Sequence, residues 1–287
     1  MSDNFIRPDT DNGWCPGCGN HGILNIVSEV LEELGLSKQE TVFVSGIGQA
    51  AKTPHYLDVN MFNGLHGRAL PVATGVKMAN PELTVVAEGG DGDMYGEGGN
   101  HFLNAVRRNV NIVHIVHNNM VYGLTKGQAS PTSQKEFKTK VQVEGVSNEP
   151  FNPLSVALSM KASFVARAFV KNKEHTKEVL KAAFMHKGYS LVDIFQPCVV
   201  FNPINTFDWF SENTYILDEV KHDTSDLISA LDVSMETHPF ALGVLYKEER
   251  KTFEEYLWDN KSSSKPLYTK EHSIKEIQEQ FDKYTIL

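Results

Sequence analysis

The segments LTVVAEGGDGD at residues 83–93 and NIVHIVHNN at residues 111–119 decide the fold of this chain. Leu83 to Ala87 is a short apolar run rich in β-branched residues, which is typical of a buried strand, and Asn111 to Val116 is a second one. Between them, Gly98 to Arg108 is predicted to form a helix whose amino end favours an anion. The order strand, helix, strand predicts an α/β fold in which the polar motifs follow the carboxyl ends of the strands.

Asp91 and the pair Asn118-Asn119 carry the chemistry of these segments. Gly90 and Gly92 allow a tight turn and a close approach of the backbone to a ligand. Asp91 supplies a carboxylate oxygen and Asn119 a side-chain carbonyl, which are both suited to Mg²⁺ that phosphates also hold. Each motif is too short to be reliable singly, but 25 residues separate Gly92 from Asn118 and the predicted helix lies between them. Together they predict a magnesium–diphosphate site.

Composition restricts the classes of function. The chain has 287 residues, 41% of them hydrophobic, which is enough for one large α/β domain or two small ones. The net charge of −9 argues against a nucleic-acid or anionic-membrane surface. No apolar run approaches the roughly 20 residues of a membrane helix, and the first residues lack the basic and apolar pattern of a signal peptide. Three cysteines do not make a disulfide framework, so we expect a reducing, cytoplasmic setting.

Strands and helices are predicted to alternate up to about residue 200. Further helices are expected at 22–34, 69–79, near 173–186 and after the cap Asn152-Pro153, and further strands at 41–44, 164–168 and 191–195. Alternation of this kind implies a mainly parallel sheet with helices on both faces, a three-layer α/β/α domain. We therefore expect a domain at residues 1–200 and a C-terminal extension at 201–287 that packs on the domain or on a partner subunit.

The extension shows a different pattern. Residues 201–220 are aromatic and predicted to be irregular, and residues 260–266 are predicted to be a flexible connector. A charged helix is expected near Lys270 to Lys283. Its thin apolar stripe consists of Ile274, Ile277 and Phe281.

The motifs resemble those of one family. The spacing of the GDG and NN motifs resembles the thiamine diphosphate (TPP) signature. The further motifs are Trp14-Cys15-Pro16-Gly17-Cys18-Gly19, Gly46-Ile47-Gly48, Leu65-His66-Gly67-Arg68-Ala69-Leu70-Pro71, Tyr122-Gly123-Leu124-Thr125-Lys126-Gly127-Gln128 and Ser130-Pro131-Thr132. Together they resemble the β, TPP-binding subunit of the 2-oxoacid:ferredoxin oxidoreductases. The resemblance covers nearly the whole chain up to about Pro203 and is weaker through residues 239–246.

The resemblance implies an activity and its partners. A 2-oxoacid, coenzyme A and oxidised ferredoxin would be converted to acyl-CoA, CO₂ and reduced ferredoxin, with TPP as the electron sink and an iron–sulfur cluster as the electron carrier. The glutamate that activates TPP would come from a partner α subunit, because this chain resembles only the diphosphate half of a TPP enzyme. We therefore expect the isolated chain to be inactive.

The resemblance also implies roles for individual residues. Mg²⁺ would be held by Asp91, Asn119 and the main-chain carbonyl of Val121. His66 would contact a phosphate or the substrate carbonyl, or be structural, and Lys52 would pair with the substrate carboxylate or be solvated. Lys126, where many relatives have glycine, favours a longer acidic substrate such as 2-oxoglutarate over pyruvate. The expected cofactor-binding residues are Gly46, Gly48, His66, Gly90, Asp91, Gly92, Asp93, Asn119, Val121, Gly123, Leu124 and Thr125.

The cysteines depart from the family pattern. Many relatives hold a [4Fe–4S] cluster with four cysteines, and Cys15, Cys18 and Cys198 match three of those places, but Gln49 occupies the fourth. Four thiolates are therefore not available within this chain. A [4Fe–4S] cluster whose fourth ligand is Gln49, His55, His21, solvent or a partner residue, a [3Fe–4S] cluster, a zinc ion and unmetallated thiols all remain open.

Two other functions also remain open at this point. A non-oxidative TPP-dependent decarboxylase or lyase would keep the cofactor site without the cluster. A binding or scaffolding subunit with a vestigial site would need neither, and the intact Asp91, Asn119 and glycine-rich loops argue against it.

Overall fold

The computed structural model describes residues 5–258, 266, 269, 271 and 273–284. The first four residues lie outside these ranges, and so does the predicted connector, apart from Pro266. In the described part of the chain, no helix combines the length and the apolar character that crossing a membrane requires.

A single mixed sheet organises the described residues. Its strands in chain order are β1 (Thr41–Ser45), β2 (Asn60–Asn63), β3 (Thr84–Gly90), β4 (Ile112–Asn118), β5 (Phe164–Phe169), β6 (Tyr189–Phe195), β7 (Thr214–Ile216) and β8 (Phe240–Lys247). They lie in the order β2-β1-β3-β4-β6-β5-β8-β7. Neighbouring strands pair in parallel except β5 and β8, which are antiparallel. The predicted mainly parallel sheet is confirmed.

The helices cover the sheet and connect its strands. They are α1 (Asn20–Glu33), α2 (Thr53–Tyr56), α3 (Ala69–Ala79), α4 (Gly99–Arg108), α5 (Pro153–Ser159), α6 (Lys173–Met185), α7 (Phe207–Glu212), α8 (Leu227–Met235), α9 (Phe253–Trp258) and α10 (Ile274–Tyr284). Asn152 caps α5 as predicted, because its side chain accepts a hydrogen bond from the Ser155 amide. Short 3₁₀ helices cover Ala50–Lys52 and Leu217–Val220, and a π-helical turn at Gly92–Glu97 precedes α4.

The apolar residues of the strands point to two faces. Successive residues of β1, Phe43 and Val44, belong to different buried clusters, and so do Val85 and Val86 of β3. One cluster includes residues of α1 and α6, and the other includes residues of α3, α4 and α5. Because a strand with helices on both faces buries every side chain, its sequence is an apolar run rather than an alternating one. The expected three-layer α/β/α fold is confirmed.

The C-terminal region is more ordered than its sequence pattern suggested. The prediction that residues 201–220 are irregular was wrong, because they contain α7, β7 and the 3₁₀ turn at Leu217–Val220. Beyond them, β8 pairs with β5 and with β7, which is the last strand of the sheet. A three-residue strand is too short to show a period of two, and the pairing of β8 depends on the exposed edge of a distant strand. Further on, Ile274, Ile277 and Phe281 of α10 are exposed.

Candidate active site

The carboxyl ends of β1, β3 and β4 bring the predicted motifs together. These strands are neighbours, and their pairing places Ser45 beside Glu88 and Gly90 beside His117. The loops that follow line one pocket. Its walls include the predicted residues Gly48, His66, Gly90, Asp91, Gly92, Asp93, Asn119, Val121, Gly123, Leu124 and Thr125, together with Ile47, Gln49, Ala50 and Tyr122. Gly46 immediately precedes this wall, and the Lys52 ammonium lies on the side of Gly13, outside the lining.

Asp91 lines this pocket with a defined orientation. Its side chain is buried, and its Oδ2 accepts hydrogen bonds from the hydroxyls of Ser130 and Thr132, each at 2.5 Å. Burial raises the pKa of Asp91 to about 6, while the two hydroxyls act in the opposite direction because they stabilise the carboxylate. A carboxylate that is costly to ionise in the metal-free protein is suited to a cation, which would compensate its charge.

Asn119 lines the same pocket as Asp91. Its Oδ1 accepts a hydrogen bond from the Val121 amide at 3.1 Å, and its Nδ2 donates to Gln196 Oε1 at 3.3 Å. The main-chain carbonyl of Asn119 accepts from Asn202 at 3.0 Å. These contacts hold the loop so that Asn119 and Val121 both line the pocket that Asp91 lines.

Asp93 ties the loops around the pocket to one another. Its Oδ1 accepts hydrogen bonds from the amides of Ile47 at 3.1 Å and Gly67 at 2.8 Å, and from His66 Nδ1 at 2.5 Å. Its Oδ2 is buried without a hydrogen-bond partner among the described residues. A Cβ at position 46 would lie 2.2 Å from that oxygen, so Gly46 is required for this approach. Burial raises the pKa of Asp93, and the hydrogen bonds oppose that shift.

His66 lies between two carboxylates. Nδ1 faces Asp93, and Nε2 lies 3.5 Å from Oε2 of Glu97. The Tyr122 hydroxyl donates to the same Glu97 oxygen at 3.0 Å. Asp93 therefore fixes the orientation of the imidazole, and Nε2 is directed to Glu97. The sequence reasoning did not find Glu97, because its proximity to His66 arises from the π-helical turn before α4.

The three cysteines are brought to a second pocket. Cys15, Cys18 and Cys198 line it together with Gln49 and Gln196. Burial raises the pKa of the Cys18 thiol to about 11, and the neighbouring thiols of Cys198 and Cys15 raise it further. Gln196 also lies 3.5 Å from the Cys18 sulfur, through its Nε2. The sequence reasoning did not single out Gln196.

Gln49 occupies a wall between the two pockets. Its Oε1 is buried and has no hydrogen-bond partner among the described residues, and its side chain lines both the pocket of Asp91 and that of the cysteines. His21 and His55, two other proposed fourth ligands, do not line the cysteine pocket.

The residues present fit the expected groups to different degrees. Within the described ranges, no three His, Cys, Asp or Glu side chains form a group that could hold a metal ion. The magnesium site would combine one carboxylate, one amide and one carbonyl with phosphate oxygens, and the residues that supply these groups line one pocket. An iron–sulfur cluster distributes its thiolates over several irons, and the three cysteines line one pocket.

The fold and the pocket define a TPP-binding domain. Residues 41–194 match the family model of the thiamine pyrophosphate enzyme C-terminal TPP-binding domain. Residues 198–262 match the model of the C-terminal part of the pyruvate ferredoxin oxidoreductase β subunit. The chain belongs to the family of 2-oxoacid:ferredoxin oxidoreductase β subunits.

Individual relatives agree with this family. A 2-oxoacid:ferredoxin oxidoreductase subunit β from a Sulfolobus species is 40% identical over 96% of this chain and 94% of its own. A 2-oxoglutarate oxidoreductase subunit KorB from Mycobacterium tuberculosis is 46% identical over 68% of this chain and 52% of its own. Among solved structures, the chain is similar to 2-oxoglutarate:ferredoxin oxidoreductase from Magnetococcus marinus, which was solved with 2-oxoglutarate, coenzyme A and succinyl-CoA bound. The two superpose with a TM-score of 0.86 at 37% identity, and the match covers 90% of this chain and 92% of that one. The chain is thus an oxidoreductase subunit with a TPP-binding domain.

Proposed function

We propose that the chain is the TPP–Mg²⁺ half of an enzyme that oxidatively decarboxylates 2-oxoglutarate with coenzyme A and passes the electrons through an iron–sulfur cluster to ferredoxin. One observation carries this proposal: the pocket of Asp91 and the pocket of the cysteines share the walls Gln49, Asn119 and Gly123. A carbon centre that releases electrons and a group that accepts them would therefore be adjacent.

The protein groups in the first pocket would hold the diphosphate and its metal. Asp91, Asn119 and the Val121 carbonyl would bind Mg²⁺. When bound, TPP supplies a nucleophilic carbon and an electron sink for decarboxylation. Asp93 would keep the loop of Gly46 to Gly48 and the loop of His66 in place around the diphosphate.

A partner α subunit would complete the site. No glutamate lines the pocket within the described residues, so the glutamate that activates TPP would have to come from another chain. Apolar side chains of the pocket wall, of β2 and of the residue before His66 are exposed, as a surface that binds a partner requires. They are Ile47, Met61, Phe62, Leu65 and Leu124, and Leu65 is 75% exposed.

The preference for 2-oxoglutarate rests on Lys126 and on relatives. Lys126 follows Thr125 of the pocket wall, is exposed, and has a φ of 73°, a conformation that favours glycine. Its charge would pair with the distal carboxylate of the substrate. The Magnetococcus relative was solved with 2-oxoglutarate and succinyl-CoA bound.

The cysteine pocket supports a cluster with three thiolates from this chain. Gln49 lies at the fourth place with an unpartnered buried oxygen. The same substitution favours the alternative function, a non-oxidative TPP lyase without a cluster, because a glutamine is a poor replacement for a thiolate.

The test is metal content and electron transfer in the complex. The chain would be purified without oxygen together with its α subunit, and iron, zinc and sulfide would be measured per protomer alongside an EPR spectrum. We expect three or four irons with matching sulfide, and viologen reduction that depends on 2-oxoglutarate and coenzyme A.

A variant assigns the cluster to this chain. Cys18→Ser should abolish viologen reduction and leave TPP bound, because Cys18 lines only the second pocket. Unchanged viologen reduction in this variant would contradict the role of this site in electron transfer. A complex without iron that forms aldehyde from the 2-oxoacid would establish the lyase instead.

A further inference from the structure

Three buried hydroxyls follow the pocket loop in the segment Ser130-Pro131-Thr132-Ser133. Ser130 is 6%, Thr132 4% and Ser133 1% exposed. The segment has no role in the proposed function so far, although part of it belongs to the motifs that the chain shares with its family. A buried hydroxyl must be hydrogen-bonded to offset its lost hydration, so its partners indicate what it stabilises.

Two of these hydroxyls meet on a single oxygen of Asp91. Ser130 Oγ and Thr132 Oγ1 each donate to Asp91 Oδ2 at 2.5 Å. The carboxyl torsion of an aspartate has a broad energy minimum, so these hydrogen bonds, rather than the torsion itself, determine how the carboxylate is turned. Oδ1 receives neither hydroxyl. The Gly92 amide also donates to the carboxylate, and Asp91 lines the pocket.

The same segment also contacts the residues on either side of Asn119, which lines the pocket. Ser133 Oγ donates to the main-chain carbonyl of Met120 at 2.6 Å, and Thr132 Oγ1 lies 2.9 Å from Oδ1 of Asn118. These two residues flank Asn119. The Thr132 hydroxyl has only one proton to donate, and the ionised Asp91 carboxylate is a stronger acceptor than the Asn118 amide oxygen. When the proton goes to Asp91, Asn118 Oδ1 still accepts a hydrogen bond from the Met120 amide at 3.3 Å.

We propose that Ser130 and Thr132 are positioning residues that turn Asp91 so that Oδ1 faces the metal of the diphosphate site. This inference rests on the proposed function, since it concerns the same site. Hydrogen bonds to a metal-binding carboxylate typically change metal affinity by roughly 10–100-fold when they are removed. Ser130 and Thr132 act through Asp91 and do not touch the metal themselves.

The experiment measures metal affinity directly. The complex of the chain with its α subunit would be stripped of metal and TPP with a chelator. It would then be titrated with Mn²⁺ at saturating TPP, with free Mn²⁺ measured by EPR. Thr132→Val keeps the shape of the side chain and removes the hydroxyl, so we expect the Kd for Mn²⁺ to rise by about 10-fold or more. Thr132→Ser should restore a value near that of the wild type, and Ser130→Ala, a second variant in case Thr132→Val does not fold, should also weaken binding.

Thr176→Val is the matched control. Thr176 is a buried threonine whose hydroxyl donates to the Phe169 carbonyl at 2.8 Å, and it lies outside both pocket linings. It should lower the Tm without changing the Kd for Mn²⁺. A Kd in Thr132→Val and Ser130→Ala equal to that of the wild type would overturn the positioning role. A wild-type complex that binds neither Mn²⁺ nor TPP would instead refute the proposed function of the site.

Discussion

Burial of Asp91 should make the metal-free protein lose stability as the pH rises. Its pKa in the folded state is about 6, against an ordinary value of 3.8. Between these values the folded state binds more protons than the unfolded state, so the contribution to the unfolding free energy is complete below pH 3.8 and is lost as the pH rises through about 6. At about 1.36 kcal/mol for each pKa unit, the loss is about 3 kcal/mol.

The variant Asp91→Asn isolates this contribution, because an amide of nearly the same shape does not titrate. Burial also raises the pKa of Asp93 and of Asp193. Both remain in the variant, so their own burial cancels in the difference, and what is left is the titration of Asp91 together with its repulsion by Asp193. We expect the unfolding free energy of the wild type minus that of Asp91→Asn to fall by about 2 kcal/mol between pH 4 and pH 8, because the unfolded carboxyl is already more than half ionised at pH 4. The measurement is urea unfolding followed by circular dichroism, in a chelator and without TPP.

A difference that stays constant over this pH range would refute the reasoning, since it would show that Asp91 is not desolvated. Saturating Mg²⁺ and TPP provide a second comparison. A bound cation replaces the proton on its ligand, so the pH dependence that Asp91 causes should disappear in the wild type when both are present.

Two further variants test the loops and the specificity. Gly46→Ala should abolish TPP retention, because its Cβ would lie 2.2 Å from the buried Asp93 oxygen. The control Gly75→Ala, whose Cβ would have no atom within 4 Å, should bind TPP normally. Normal TPP retention in Gly46→Ala would contradict the close approach of Asp93 to the loop of Gly46. Lys126→Gly should lower the ratio of kcat/KM for 2-oxoglutarate to that for pyruvate by about 10-fold, the value of one charged hydrogen bond, while Lys161→Gly, another exposed lysine at positive φ, should not. A ratio unchanged in Lys126→Gly would remove this lysine from substrate recognition.

The sequence by itself determined most of the strands and helices up to residue 200 and the motifs at their ends, but not α2, the edge strand β2 or the π-helical turn at Gly92–Glu97. Apolar runs and glycine turns depend on residues that are close in the chain, and the carboxyl ends of parallel strands necessarily meet at one edge of a sheet. The gathering of the loops around Asp91 and Asn119 was therefore predictable. The pattern of cysteines likewise pointed to one site, because Cys15 and Cys18 lie close in the chain and the resemblance placed Cys198 with them.

Only the tertiary structure decided the contacts between loops. The two hydroxyls on Asp91, the approach of Glu97 to His66 and the shared wall of Gln49 join residues whose separation in the chain carries no periodic signal. The antiparallel pairing of β8 with β5 is also a contact between distant parts of the chain, because it depends on the edge of β5 as well as on the residues of β8. Such contacts are selected by how the loops and edges pack once the sheet has formed, and that packing is not encoded in any local pattern.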